Sequence, residues 1–247
     1  MSKILQNEIR RLEWQMLSLS GVAEDMIYRA VKAVETRDRR LGEEVIASDS
    51  EIDRMEVELE EEGLKILALH HPVAVDLRFI VAVIKINSDL ERLGDLATTI
   101  AKQAVILSDR PEIPQPFDLH QMARKAWTEV RTSLDALVHL DVAVARQVPE
   151  MDREIDALHK TNGGLIERGI RDKPDATASL LAFWAVSRSL ERVADHAKSI
   201  AADVIYMVEG EIVRHNRKPE HPAGPWPSGA ADAAARTEGP TTGPKAS

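Results

Sequence analysis

No cysteine occurs among the 247 residues, which excludes disulfides, thiolate metal sites and a cysteine nucleophile, and leaves only oxygen and nitrogen ligands for any metal. Aromatic residues are scarce at 4% against 44% hydrophobic overall. A core of this size must then be built from Leu, Ile, Val, Ala and Met, which suits helices packed on helices better than a sandwich of sheets. Positive charge is also short, with 32 Lys and Arg against 41 Asp and Glu and a net charge of −9. Such a surface repels phosphate backbones, so nucleic acid is not an expected partner. No apolar run of about 18 residues is present, which argues against a membrane span. The first residues, MSKILQNEIRRLEWQML, mix charge into their apolar positions and do not read as a signal peptide. A cytoplasmic location is expected.

Proline is missing from the interior of every long periodic segment. Pro72, Pro111, Pro114, Pro116, Pro149 and Pro174 fall between segments, and the other six lie beyond residue 218. Apolar spacing of three and four between these breaks predicts helices near 4–37, 41–70, 73–108, 117–145, 150–171 and 175–214. Helices this long suit antiparallel bundles joined by short turns. RPEIPQP at 110–116, with three prolines in seven residues, cannot be helical and reads as a join. The expectation is an all-α chain of six long antiparallel helices in two tandem, similar three-helix bundles, residues 1–110 and 117–215. A Pro-, Gly- and Ala-rich tail at 216–247, whose only large apolar side chain is Trp226, is expected to be disordered.

What the chain has in quantity is acid, and it is patterned. SDLERLGDLATTIA at 88–101 returns as SLERVADHAKSIA at 189–201, so Glu91 and Asp95 are answered by Glu191 and Asp195. Further upstream, Asp49 and Asp53 in ASDSEID are answered by Asp152 and Asp156 in PEMDREID. Acids four apart share one helical face, with Cβ atoms about 5–6 Å apart. Each half thus carries one pair on its second helix and one on its third, and antiparallel neighbours can bring the pairs face to face. Two unit charges 4 Å apart cost about 4 kcal/mol at an effective dielectric of 20. Hard or borderline cations such as Mg²⁺, Mn²⁺ or iron relieve such an all-oxygen cluster. Arg92 and Arg192, which follow the glutamates, offer the competing relief of ordinary ion pairs.

These motifs, their duplication and their order resemble the PhoU family of phosphate-uptake regulators, over nearly all of residues 1–214. SDLERLGD and SLERVAD look like the family's duplicated E-x-x-x-D signature, and DSEID and DREID like its companion D-x-x-x-D segments. HHPVAVDLRFIVAVIKI resembles its turn and third helix. The resemblance implies a cytoplasmic negative regulator that contacts the ATPase subunit of a phosphate ABC transporter and a phosphate-sensing histidine kinase. It also implies divalent or iron-type metal ions on Asp49, Asp53, Glu91 and Asp95 in one half and on Asp152, Asp156, Glu191 and Asp195 in the other. A homodimer is left open. One departure is Leu96, where the second signature has His196; His196 is read as a polar neighbour, not a ligand.

Two other readings compete. A di-iron carboxylate enzyme needs Glu-x-x-His on two helices, and no histidine here has a glutamate three residues before it; Asp156 and His159 come nearest. No G-x-S-x-G elbow or phosphate-binding loop is present either, so no catalytic function is expected. A structural helical scaffold with ion-paired acidic faces remains the second reading.

Overall fold

The computed structural model describes residues 3–213; the tail at 216–247 lies outside them. Among the described residues there are helices and no strand, arranged as two similar three-helix bundles in tandem. The first bundle contains α1 (Lys3–Thr36), a short α2 (Arg39–Ala47), α3 (Asp49–His70) and α4 (Val75–Ser108). The second repeats the pattern with α5 (Leu119–His139), a short α6 (Val142–Ala145), α7 (Val148–Asp172) and, after a 3-10 turn at Pro174–Ala176, α8 (Thr177–Glu209).

Sequence periodicity misses one break per half. The helix expected at 41–70 is interrupted at Ser48, whose N–H and hydroxyl both bond back to the Glu44 carbonyl, the local competition for backbone that serine offers inside a helix. The helix expected at 117–145 stops at His139, because Leu140 adopts a left-handed conformation (φ 51°) and Asp141 then caps a new turn by accepting from the N–H groups of Ala143 and Val144. The first half does the same thing with Arg37 (φ 52°) and Asp38, whose side chain accepts from Leu41 N–H. The short helix therefore belongs to the second arm of each bundle, an arrangement hidden from a search for apolar stripes because α6 has only four residues.

A left-handed residue other than glycine carries a cost of about 1–2 kcal/mol. Leu140 is 44% exposed, so its side chain recovers little of that by burial. Leu140→Gly is expected to raise stability by about 0.5–1 kcal/mol, read as a shifted midpoint in urea with unchanged slope.

Packing follows from apolar stripes. Leu12, Met16, Leu19, Ala23, Met26, Ile27 and Ala30 line the buried face of α1 at the spacing of three and four that one helical face requires. α4 and α8 are the most apolar helices and make the most extensive contacts, with each other and with the first helix of their own half. They run antiparallel: Asp89 on α4 meets His196 on α8 at 2.9 Å, while Lys85, one turn earlier, approaches Asp203, about two turns later. This places His196 on the seam between α4 and α8. Within each half the second and third arms are also antiparallel: Asp49 meets Thr98 while Glu56, later on α3, meets Asn87, earlier on α4, and Asp152 meets Lys198 while Asn162 meets Ser187.

Candidate functional site

The acids of the first half are positioned by a close approach of α3 and α4. Gly94 sits inside the ERLGD motif, and a Cβ there would lie 2.6 Å from Cδ1 and 3.0 Å from Cγ2 of Ile52, a side chain with no exposed surface. Ile52 lies between Asp49 and Asp53 in sequence, so the glycine that accepts it lets α3 bring those acids down beside Glu91 and Asp95. The threonine hydroxyl of Thr98 donates to Asp49 Oδ1 at 3.0 Å. Glu91 is pushed above the usual carboxylate range, first by burial and then by Asp95, with Arg92 opposing and Asp53 and Glu56 adding to the rise. Glu56 is raised as well, by burial and then by Glu60 and Asp53. Arg92 stands at the rim, 2.9 Å from Asp95 and 3.5 Å from Glu91.

Gly94→Ala tests that approach. Helix propensity favours alanine by up to about 1 kcal/mol, but overpacking against Ile52 costs about 1–3 kcal/mol. A net loss of about 1 kcal/mol is expected, largely recovered in Gly94→Ala/Ile52→Val, which a double-mutant cycle of chemical denaturation measures.

The second half gathers the same acids around a different centre. Lys198 Nζ lies 2.5 Å from Asp152 Oδ2 and 2.7 Å from Asp195 Oδ1, joining α7 to α8. Among the described residues Arg192 makes no such pair. Burial pulls the Lys198 ammonium towards its neutral form, but its hydrogen bonds to Asp152 and Asp195, and their charges, outweigh that and raise its pKa. Glu191 is raised by burial and then by Asp195, Asp156 and Asp152. Asp152 is raised by burial, with Lys198 opposing. From α5 the same face receives Glu129, which has no exposed surface and neither carboxyl oxygen hydrogen-bonded. Burial, followed by the charge of Asp152, pushes Glu129 up to about 9, so it is held as a neutral acid near pH 7.

All four first-half acids therefore lie where α3 meets α4, and all four second-half acids where α7 meets α8. Five participants were missed by reading the sequence: Glu56, Gly94, Thr98, Glu129 and Lys198. A signal existed for the last two. Superposing the left-handed turn residues Arg37 and Leu140 sets Glu129 against Met26, and superposing the ERLGD and ERVAD motifs sets Lys198 against Thr98.

Whether these faces suit a metal ion depends on the half. Among the described residues no three Asp, Glu or His side chains are drawn close enough to enclose an ion. The first face is all oxygen, mutually repelling and countered only by Arg92 at its rim, which is the donor chemistry that hard cations take. These residues fit a cation in kind, with side-chain rotation needed to close around it. In the second face the ammonium of Lys198 stands between two of the expected ligands, and that face does not fit.

Two tandem three-helix bundles, each with the acids of its second and third arms on one face, define a class of duplicated all-helical proteins. The PhoU domain model matches residues 16–104 and 119–204, and the chain belongs to the PhoU family. It is 36% identical over 210 residues to a protein of Pseudomonas putida named phosphate-specific transport system accessory protein PhoU homolog, covering 84% of this chain and 82% of that one. The crystal structure of PhoU from Pseudomonas aeruginosa superposes with a TM-score of 0.81 at 32% identity, covering 83% of this chain and 99% of that one. The phosphate transport system regulatory protein PhoU from Streptococcus pneumoniae superposes with a TM-score of 0.78 at 26% identity, covering 85% and 99%.

Proposed function

We propose that the chain is a negative regulator of phosphate uptake and of the response to phosphate starvation. It acts in the cytoplasm by protein contacts with the ATPase subunit of a phosphate ABC transporter and with a sensor histidine kinase. The observation that carries this reading is the match of both halves to one family whose relatives are named as accessory or regulatory proteins of phosphate transport. Among the described residues no helix is long and apolar enough to cross a membrane, which is compatible with action through a partner that does.

A binding role, not a catalytic one, agrees with the side chains available. The Ser–His contact, Ser187 with His159 at 3.0 Å, has a serine hydroxyl that is fully buried among Asn162 and Met122, where no substrate reaches it. The acidic face of α3 and α4 is the natural place for a divalent or iron-type ion, held by Asp49, Asp53, Glu91 and Asp95. Such an ion would supply positive charge to carboxylates on both arms, where Glu91 is raised by burial and then by Asp95. The test is a pull-down from cells grown at high and at low phosphate. Recovery of the transporter ATPase subunit or the sensor kinase at high phosphate is expected; unchanged phosphate uptake and starvation-gene expression in a deletion strain overturns the reading.

The ion pairs favour one second reading, a helical scaffold whose acidic faces are neutralised internally by Arg92 and Lys198. Metal analysis of protein purified without chelator or metal-binding tag separates the two. On the scaffold reading no metal is retained, and Glu91→Gln raises stability by about 0.5–1 kcal/mol by removing like-charge repulsion without disturbing regulation. On the regulator reading Glu91→Gln loses retained metal.

A further inference from the structure

The two halves differ at the centre of their acidic faces by a matched exchange of residues. Arg37 and Leu140 occupy the same left-handed position before the capping residues Asp38 and Asp141. Counting back from them along α1 and α5 sets buried Met26 against buried Glu129. Counting forward from the shared signatures on α4 and α8 sets Thr98 against Lys198. Where the first half has a thioether and a hydroxyl, the second has a carboxyl and an ammonium. The exchange adds one base and one acid to the second face, the base bonded to Asp152 and Asp195 and the acid without a hydrogen-bond partner.

The geometry gives the base of that exchange a purpose. Thr98 donates to Asp49 alone, whereas Lys198, in the equivalent place, reaches both Asp152 on α7 and Asp195 on α8. Bridging an acid of the second arm to an acid of the third is what an external cation would do. We propose that Lys198 is a built-in counter-cation that closes the second acidic face to metal ions, leaving the chain with one cation-taking face, that of α3 and α4. The proposal rests on the cation-binding reading of the first face and refines it from two equivalent sites to one. A divalent ion entering the second face has to displace an ammonium from two hydrogen-bonded carboxylates and leave that positive charge nearby. Like charges a few ångströms apart in a partly buried site repel strongly. Buried Glu129, with both oxygens unpartnered, adds negative charge only when ionised and has no analogue in the first half. The two faces of one duplicated fold are thereby given different chemistry without any change of backbone plan.

The experiment uses Mn²⁺ as the probe, counting bound ion by electron paramagnetic resonance in the full chain and following thermal unfolding with and without Mn²⁺. Three proteins are compared: wild type, Asp49→Asn/Glu91→Gln, and Lys198→Thr/Glu129→Met, which installs in the second half the residues the first already tolerates. Far-UV circular dichroism confirms that each is helical. Wild type is expected to show one class of bound Mn²⁺, which Asp49→Asn/Glu91→Gln removes. Lys198→Thr/Glu129→Met is expected to bind roughly twice as much and to gain a larger Mn²⁺-dependent rise in melting temperature. The proposal is overturned if wild-type Mn²⁺ survives Asp49→Asn/Glu91→Gln on the second face, or if the folded Lys198→Thr/Glu129→Met protein binds no more than wild type. Wild type binding no Mn²⁺ sinks the cation reading of the first face. The variant alone then decides the role of Lys198: a new Mn²⁺-dependent stabilisation upholds it and none refutes it.

Discussion

Lys198→Met is expected to lower stability by about 2–3 kcal/mol, the largest loss from any single charged side chain in the acidic faces. Removing one partner of a buried pair costs about 3–5 kcal/mol because the other charge stays behind uncompensated. Here the full value is reduced, since the Lys198 side chain is 37% exposed and Asp195 is 50% exposed, while Asp152 is only 6% exposed. The loss comes mostly from Asp152, whose second oxygen already lacks a partner. At about 2–4 °C per kcal/mol for a chain of this size, the midpoint falls by roughly 5–10 °C, measured by calorimetry at neutral pH. Arg92→Met is the control. Arg92 pairs with Asp95 across side chains 55% and 45% exposed, and exposed pairs contribute about 0–1 kcal/mol. Equal losses from the two substitutions would show that Lys198 is a surface partner like Arg92 and not the centre of the second face.

That contrast bears on what the sequence could reveal. The long helices, the antiparallel plan and the duplication are legible because apolar periodicity and proline punctuation act locally, and a carboxylate pair four residues apart must share a face. The placement of Asp49 and Asp53 opposite Glu91 and Asp95 follows from the same reasoning once antiparallel neighbours are assumed. What the motif conceals is compensation. Glu129 sits on α5 between Ala126 and Ser133, surrounded by apolar positions, and nothing within α5 says that it faces α7 and α8. Lys198 is an ordinary basic residue until the fold sets it between Asp152 and Asp195. Gly94 reads as a weak spot in a helix until Ile52 is seen occupying the space of its missing Cβ. The breaks at Ser48 and Leu140 are similarly backbone events, invisible to a search for apolar stripes. Glu129, Lys198 and Gly94 each depend on residues distant in sequence, which composition and spacing along one helix do not encode, whereas the breaks at Ser48 and Leu140 are local turns and caps.

Glu129→Gln is expected to have opposite consequences at two pH values, near neutral at pH 5 and strongly stabilising at pH 8. In the unfolded chain a glutamate ionises near 4.3, whereas in the folded protein Glu129 is pushed up to about 9. Between these values the folded state holds a proton that the unfolded state has released. Stability therefore falls as pH rises, at about 1.4 kcal/mol per pH unit for one proton, and levels off above about 9. Glutamine copies the neutral carboxyl in shape and cannot ionise, so this slope disappears. Between pH 5 and pH 8 the advantage of the variant should grow to about 4 kcal/mol, read from urea midpoints at each pH. Other groups do not imitate this difference. Asp152, Glu191 and Glu91 are also raised and contribute the same sign in both proteins. Lys198 is raised, so its contribution is fully present below about 10.5 and constant across the window. His159 is lowered, first by burial, and favours folding as pH rises through its unfolded value, again in both proteins. Parallel curves for wild type and Glu129→Gln would mean that Glu129 is ionised in the folded state. The second face would then hold a fifth carboxylate beside Asp152, Asp156, Glu191 and Asp195, with Lys198 bonded to only two of them.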